Sequence, residues 1–286
     1  MPESPYPESA AAGPVLAVAA LGRGILLTVA GFGRFVRFSG ATVLGIRGVR
    51  TWIRHGRLAK QLFFVGTMSA PVVALTGAFI GMILALEGFR QFEAIGQENR
   101  LGGIINLSMV KQLGPVLAAV MLAGRVGCSL TAELGSMRVT EQLDAMRALG
   151  SDPIRVLVVP RFLACVLMIP PLTVISNLCG VAGGWLVTTR FYTADPELYM
   201  RFSAQFVTWF DIASGLLKST CFGAGIGLIA CYKGFTCKPG AEGVGRATTE
   251  SFVMSFISII LMSVALVKLL NDIDYWLYSG VQSVFR

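Results

Sequence analysis

Long segments without charged residues dominate the pattern of hydrophobic and polar positions along the chain. The clearest of them extends from Gln61 to Leu86, and four further segments carry at most one charged residue each. A helix that crosses the hydrocarbon core of a bilayer needs about 20 predominantly apolar residues. The pattern therefore predicts an all-α integral membrane protein with five transmembrane helices. The predicted spans cover residues 61–86, 101–124, 162–189, 212–232 and 251–271.

The first 60 residues have a different pattern, in which basic residues alternate with aliphatic and aromatic ones. A basic amphipathic stretch of this kind is typical of a helix that lies in the headgroup region of a membrane. We therefore expect an N-terminal amphipathic interfacial helix within residues 1–60, with a sixth crossing through Pro14–Phe32 as the alternative. Residues 61–271 form the expected membrane domain, and residues 272–286 form a C-terminal tail. The apolar patch Ala10–Ala20 has no preceding basic residues, so we do not interpret it as a secretory signal.

Composition and charge agree with a membrane protein and predict its orientation. Of the 286 residues, 54% are hydrophobic and only 14% are charged, against about 25% charged in soluble domains. This balance argues against a soluble enzyme or a nucleic-acid-binding domain. Sixteen of the 24 Lys and Arg residues lie in the N-terminal region and in the loops that five crossings would place on the same side. Because cytoplasmic loops are enriched in basic residues, we expect a cytoplasmic N-terminus, an outer C-terminus and an inner (plasma) membrane location.

Several types of site are absent from the sequence. The six cysteines have no C-x-x-C spacing and His55 is the single histidine, so free thiols are expected rather than a metal site. The chain has no G-x-x-x-x-G-K-[ST] motif and therefore no P-loop for ATP. No carboxylate lies well inside a span, whereas ion-coupled carriers usually keep one there. A passive scaffold or a permease driven by a separate ATPase remains, and an ion channel is disfavoured because no acidic ring lines a span.

Two lysines lie inside the predicted spans. Lys218 is about seven residues into the fourth span, roughly 10 Å along a helix. Its side chain could extend to the interface, or it could face an internal cavity and bind an anionic substrate such as a phospholipid headgroup. Lys268 lies closer to the end of its span, so we expect its side chain to reach the interface.

Small residues recur at four-residue spacing in three of the spans. The pairs are Gly77 with Gly81, Gly180 with Gly184, and Gly223 with Gly227. This spacing lets helices approach closely in membranes. It predicts either packing within the chain or a seam between two copies.

The segment Thr131–Pro160 is not explained by membrane burial. Val139, Leu143 and Met146 recur at helical spacing, and Gly150 followed by Asp152-Pro153 is a helix stop. The pattern predicts a short cytoplasmic amphipathic helix that contacts a soluble partner. The alternative is a helix that packs only against its own bundle.

Several motifs occur in the same order as in a known family. They are Gly77–Gly81, the run from Lys111 to Met146, Asp152–Arg161, Lys218-Ser219 and Gly243–Thr249. On these motifs, which span about residues 60–270, the chain resembles the MlaE (YrbE) family of ABC-transporter permeases. Members of this family work with mammalian-cell-entry (MCE) domain proteins in lipid transport.

The resemblance implies an architecture and a set of partners. It implies a homodimeric permease core, two copies of a cytoplasmic ATPase that bind the ATP and Mg, an MCE ring on the outer face and a small STAS-domain subunit. The chain itself would hold no cofactor, and lipid would pass through a cavity between the two copies. A passive scaffold that anchors an MCE lipid tunnel is the alternative. The segment Glu133–Gly150 would be the coupling helix that receives the motion of the ATPase. Its expected coupling residues are Glu133, Arg138, Glu141, Asp144 and Arg147.

The resemblance also implies a lipid-binding set, in which this sequence departs from the family pattern. An acidic residue usual in the family is replaced by Gln112, and an aspartate common in the last helix aligns with Ser263, whereas Lys218 is retained. These departures predict a cavity without acidic residues that is still cationic. The expected substrate-binding residues are Lys111, Gln112, Lys218, Ser263, Leu75 and Phe79.

Overall fold

The structure is a computed structural model that describes residues 12–47, 56–97, 100–192 and 195–284. Within these ranges the regular structure is helical and contains no strand. The α-helices are α1 (Ala12–Gly45), α2 (Arg57–Gly66), α3 (Ala70–Glu93), α4 (Leu101–Ser108), α5 (Gly114–Leu122), α6 (Cys128–Val139), α7 (Gln142–Ala148), α8 (Val159–Arg190), α9 (Pro196–Phe206), α10 (Trp209–Phe235) and α11 (Ala241–Val284). Short π-helical segments cover Met109–Leu113, Ala123–Gly127 and Ile154–Val158.

Five helical segments of the described chain are long and apolar enough to cross a membrane. They are Arg57–Glu93, Leu101–Val139, Ile154–Arg190, Trp209–Phe235 and Ala241–Trp276. Each contains one predicted span, so the prediction of an all-α protein with five transmembrane helices is confirmed. The helices extend past the predicted limits because a helix that leaves the hydrocarbon core keeps its backbone hydrogen bonds and tolerates charged residues there.

Helix α8 lies at the centre of the bundle, with α3 along one side and α10 along another. A Cβ atom on Gly77 or Gly81 of α3 would overlap backbone atoms of Ser176 or Gly180 in α8. The glycine pair of α10, Gly223 and Gly227, also packs closely on α8, at Cys165 and Phe162. These glycines serve packing within the chain, so for them the interpretation as a seam between two copies is wrong.

Proline does not interrupt the third span. Pro170 and Pro171 lie inside α8, which is continuous from Val159 to Arg190. Proline removes a backbone donor and normally bends or breaks a soluble helix. Within a membrane bundle, neighbouring helices and hydroxyl side chains tolerate the loss, and Thr173 donates its hydroxyl to the carbonyl of Ile169 in this turn.

The segment predicted as one coupling helix is divided in two. Helix α6 ends at Val139, Glu141 adopts a left-handed conformation with φ of 58°, and α7 begins at Gln142. Val139 therefore does not share a helical face with Leu143, which is buried. The predicted stop is confirmed, because α7 ends at Ala148 and Gly150 has φ of 73°.

The N-terminal region contains the expected helix. In α1, Phe35 and Phe38 pack edge-on against Tyr232 near the end of α10, and Phe38 also contacts Phe235. The C-terminal part of helix α1 therefore lies at the end of the bundle where α6 and α10 finish, and we call this the α7 end. Its interfacial placement stays a prediction, as does the alternative of a sixth crossing. Residues 1–11 and 48–55, which include His55, lie outside the described residues.

Candidate functional site

Lys218 is the most deeply buried charged side chain of the described spans. It is 1% exposed, and its Nζ lies 2.9 Å from the carbonyl oxygen of Lys111 and 3.2 Å from Oε1 of Gln112. The ammonium is directed into the bundle, where oxygen atoms of the chain surround it. The interpretation that Lys218 extends to the interface is therefore wrong. Lys268 is exposed, and the expectation that its side chain reaches the interface stays a prediction.

The local backbone explains why the carbonyl of Lys111 is free to accept this bond. In an α-helix the carbonyl of residue 111 would accept from the N–H of residue 115, but Pro115 has no N–H. The π-helical segment Met109–Leu113 also shifts the hydrogen bonding, since Gly114 donates to the carbonyl of Met109. The short sequence Lys111-Gln-Leu-Gly-Pro115 thus creates an acceptor inside a span, and Lys218 uses it.

Gln112 joins three helical segments. Its Oε1 accepts from Lys218 of α10, while its Nε2 lies 2.7 Å from the hydroxyl oxygen of Ser263 in α11 and donates to it. A carboxylate at residue 112 would have no N–H to donate, so the amide suits this double contact. The structure therefore brings together Lys111, Gln112, Lys218 and Ser263, four members of the predicted substrate-binding set.

An acidic residue also belongs to this group, which we call the Lys218 cluster: Lys111, Gln112, Asp211, Lys218 and Ser263. Nζ of Lys111 lies 3.4 Å from Oδ1 of Asp211, whose side chain is only 8% exposed. Asp211 also accepts from the hydroxyl and the backbone N–H of Thr208. The expectation of a site without acidic residues is therefore wrong. The missed signal was the Thr-x-x-Asp capping box that starts α10.

The remaining two predicted substrate-binding residues lie elsewhere. Leu75 and Phe79 are on α3 and are 61% and 53% exposed, respectively. They form part of a continuous apolar face of α3 and do not belong to the hydrogen-bonded group. Within the Lys218 cluster, the side chain of Lys111 is 29% exposed, whereas Lys218 and Ser263 are buried. An incoming ligand would therefore meet the cluster first at Lys111 and Gln112.

The predicted coupling residues lie at the α7 end, in two groups. Asp144 accepts from Nη1 of Arg138 at 3.3 Å and from Nη1 of Arg147 at 2.7 Å, so it joins the end of α6 to α7. Glu141 forms the left-handed turn between these helices. All three ion-pair members are at least 39% exposed at the side chain, which leaves this surface open to a soluble partner.

Glu133 belongs to the second group, together with a residue that sequence reasoning missed. It accepts from Nη2 of Arg161 at 2.9 Å, and the guanidinium of Arg161 is buried near the start of α8. Among the described residues, Nη1 of Arg161 has no hydrogen-bond partner. The only sequence signal for Arg161 was its place at the end of the Asp152–Arg161 motif. The pair ties α6 to α8 on the bundle side of the α7 turn.

The turn between α10 and α11 completes this end of the bundle. Sγ of Cys237 contacts the carbonyl oxygen of Gly135 at 3.5 Å. Burial raises the pKa of the Cys237 thiol, and the nearby Arg138 lowers it by a smaller amount. The thiol is therefore neutral at physiological pH and acts as a packing residue between the turn and α6.

Comparison with known proteins assigns the chain to a family. The model of the family described as Permease MlaE matches residues 58–269. The chain belongs to the MlaE permease family. This MlaE match covers most of the five membrane-spanning segments and the whole Lys218 cluster, whereas α1 lies outside it.

Similar proteins occur in bacteria and in a plant. The MlaE-family chain is 39% identical over 249 residues to a "Probable ABC transporter permease protein" of Rickettsia bellii, covering 87% of this chain and 95% of that one. It is 35% identical to the "Intermembrane phospholipid transport system permease protein MlaE" of Haemophilus influenzae, covering 71% and 78%. It is 37% identical to the chloroplastic protein TRIGALACTOSYLDIACYLGLYCEROL 1 of Arabidopsis thaliana, covering 71% and 58%.

Proposed function

We propose that this chain is the membrane permease subunit of an ATP-driven phospholipid transporter. The observation that carries the proposal is the Lys218 cluster, a cationic polar group inside membrane-spanning helices with Lys111 partly exposed. Ionisable residues at this depth are costly and generally mark a substrate pathway. The phosphate of a lipid headgroup is the anion that a bilayer itself supplies. The name of the Haemophilus influenzae relative, a phospholipid transport permease, supports the same substrate class.

A separate subunit supplies the energy in this proposal. The sequence has no P-loop motif, and the relative from Rickettsia bellii carries the name of an ABC transporter permease. A cytoplasmic ATPase that binds ATP and Mg would dock at the α7 end. The exposed ion pairs of Asp144 join α6 to α7, so a force on α7 would pass into the second and third spans. The Glu133–Arg161 pair would carry it on to α8.

Two copies of the chain form the transporter in this proposal, with lipid between them. Helix α11 exposes a long apolar face that includes Ile257, Leu261 and Val264, and α3 exposes Leu75 and Phe79. Apolar faces of this kind suit acyl chains and a second copy of the membrane domain.

An MCE-domain protein would receive or deliver lipid on the outer face, and a small STAS-domain subunit would join on the cytoplasmic face. The excess of basic residues at the α7 end supports a cytoplasmic position for that end of the chain, with the chain in an inner membrane.

The test is lipid movement in proteoliposomes that contain the chain and its ATPase. We expect movement of labelled phospholipid to require ATP hydrolysis. In Lys218→Ala this movement should fall about tenfold or more, which corresponds to a loss of about 1.4 kcal/mol in headgroup binding. Lys268→Ala, which removes an exposed lysine, is the matched control and should retain transport. Equal lipid movement without ATP would contradict the proposal and favour the passive scaffold.

The same assay tests the coupling surface. Asp144→Asn removes the shared partner of Arg138 and Arg147, and exposed ion pairs of this type stabilise a fold by only about 0.2–1 kcal/mol. We therefore expect a folded complex in which lipid no longer stimulates ATP hydrolysis. Asp152→Asn is the control, because Asp152 forms a similarly exposed pair with Arg155 outside α7. Normal stimulation in Asp144→Asn would argue against a coupling role for α7.

A further inference from the structure

We propose that the Lys218 cluster selects phospholipids whose headgroup carries a net negative charge over zwitterionic ones. This inference rests on the proposed function and names the substrate class within it. It depends on the net charge of the cluster, which follows from its charged and neutral side chains.

The charges of the cluster do not balance. Lys111 and Lys218 contribute two positive charges, and Asp211 contributes one negative charge, which is paired with Lys111 at 3.4 Å. The acceptors around Lys218 are a backbone carbonyl and an amide oxygen, both of which are neutral. The cluster therefore has a surplus of one positive charge, and it is located at Lys218.

The next charged residues along α10 and α11 do not remove this surplus. The next ones along α11 are Lys268 and Asp272, which have opposite charges and are exposed. Along α10 the next is Lys233, which is paired with Glu250 at the α7 end. A compensating negative charge for Lys218 is therefore absent from these neighbours.

A surplus charge away from water favours a ligand of opposite net charge. Removing a charge from water is expensive unless an anion compensates it. A zwitterionic headgroup brings a phosphate together with its own cation, and so its net charge cancels nothing. A headgroup with one net negative charge neutralises the surplus completely, and its stabilisation is large because the local dielectric constant is low.

The geometry allows the phosphate to reach this charge. The side chain of Lys111 is 29% exposed, and Gln112 beside it is partly exposed. Lys218 lies directly behind both residues. An ammonium has three donors, and two of those on Lys218 are used by Lys111 and Gln112; among the described residues the third has no protein acceptor. The phosphate would contact Lys111 and Gln112 and experience the charge of Lys218 from behind them.

The test compares which lipids the purified chain retains. Purified chain is reconstituted in vesicles of phosphatidylglycerol and phosphatidylethanolamine in equal amounts, extracted in mild detergent and washed, and the retained lipid is measured by mass spectrometry. We expect several-fold enrichment of phosphatidylglycerol in the wild-type protein. In Gln112→Glu the new carboxylate neutralises Lys218, so the enrichment of phosphatidylglycerol over phosphatidylethanolamine should disappear. Ser263→Asp places the carboxylate on α11 instead and should have the same effect. The test therefore remains informative if one of the two variants fails to fold.

Gln205→Glu is the matched control. It makes the same amide-to-carboxylate change at an exposed position of α9 and should keep the enrichment. The inference would be overturned if the wild type retained both lipids in the vesicle ratio. It would also be overturned if the enrichment persisted in both acidic variants. Either result would leave the proposed function standing. Absence of retained phospholipid, together with a lack of ATP-dependent lipid movement, would overturn the proposed function as well.

Discussion

The polar side chains of the Lys218 cluster form hydrogen bonds or ion pairs with one another. Lys218 donates to the carbonyl of Lys111 and to Gln112, and Gln112 donates to Ser263. Asp211 holds the other end of Lys111. Because each group is the partner of another, removal of one side chain leaves a buried polar atom unpaired, at about 1–3 kcal/mol. The cluster is therefore expected to contribute to stability as well as to the proposed binding of lipid.

Asp211→Asn tests this dependence. The amide keeps an oxygen that accepts from Thr208, but it lacks the negative charge that faces Lys111. We expect the free energy of unfolding in detergent to fall by about 1–3 kcal/mol, measured by thermal unfolding followed by circular dichroism. Asp272→Asn changes an exposed aspartate of α11 and should stay within about 0.5 kcal/mol of the wild type. The prediction fails if the two variants are equally stable.

Sequence reasoning found most of this cluster but not its connections. The sequence predicts four of its five residues, whereas Asp211 lies just before the predicted fourth span and is not among them. The Thr208-x-x-Asp211 capping box was visible in the sequence and could have identified it. The contact of Lys218 with Lys111 was not visible, because these residues are 107 positions apart and meet only through the packing of α10 on the π-helical segment.

Among the helices, the contact between α3 and α8 depends on the absence of side chains. Gly81→Ala would place a Cβ against the backbone of Gly180, and backbone cannot move aside as a side chain can. We expect a loss of about 1–3 kcal/mol in the free energy of unfolding, as for other overpacked interiors. Gly33→Ala in α1 is the control, since its Cβ would meet no atom within 4 Å, and it should be neutral or stabilising. A stable Gly81→Ala protein would show that these helices can separate at little cost.

The helices themselves were largely predictable, and the exceptions have physical reasons. Hydropathy placed the five spans because a bilayer imposes a minimum apolar length. It could not show that α8 continues through Pro170 and Pro171, since this depends on neighbouring helices. The break before α7 was equally hidden, because a left-handed backbone at a residue other than glycine, as at Glu141, is uncommon.

For the whole molecule, the orientation in the membrane is the main untested prediction. In a variant without native cysteines, Lys238→Cys would report the α7 end and Gln205→Cys the opposite end; both positions are exposed. We expect a membrane-impermeant maleimide to label Gln205→Cys in intact spheroplasts and Lys238→Cys only after lysis, because basic loops stay in the cytoplasm. The reverse labelling pattern would invert the proposed positions of the ATPase and the MCE protein.

The backbone contact between α3 and α8 has a mechanical consequence. At Gly77 and Gly81 the backbone of α3 touches the backbone of α8 with no long side chain between them to change its rotamer, so we expect the two helices to move together. Helices α10 and α11 instead meet through longer side chains, such as Met262 beside Gly225, and such contacts can slide and repack. Any opening of the transporter within one copy is therefore expected at α11, with the paired helices α3 and α8 as the stationary frame.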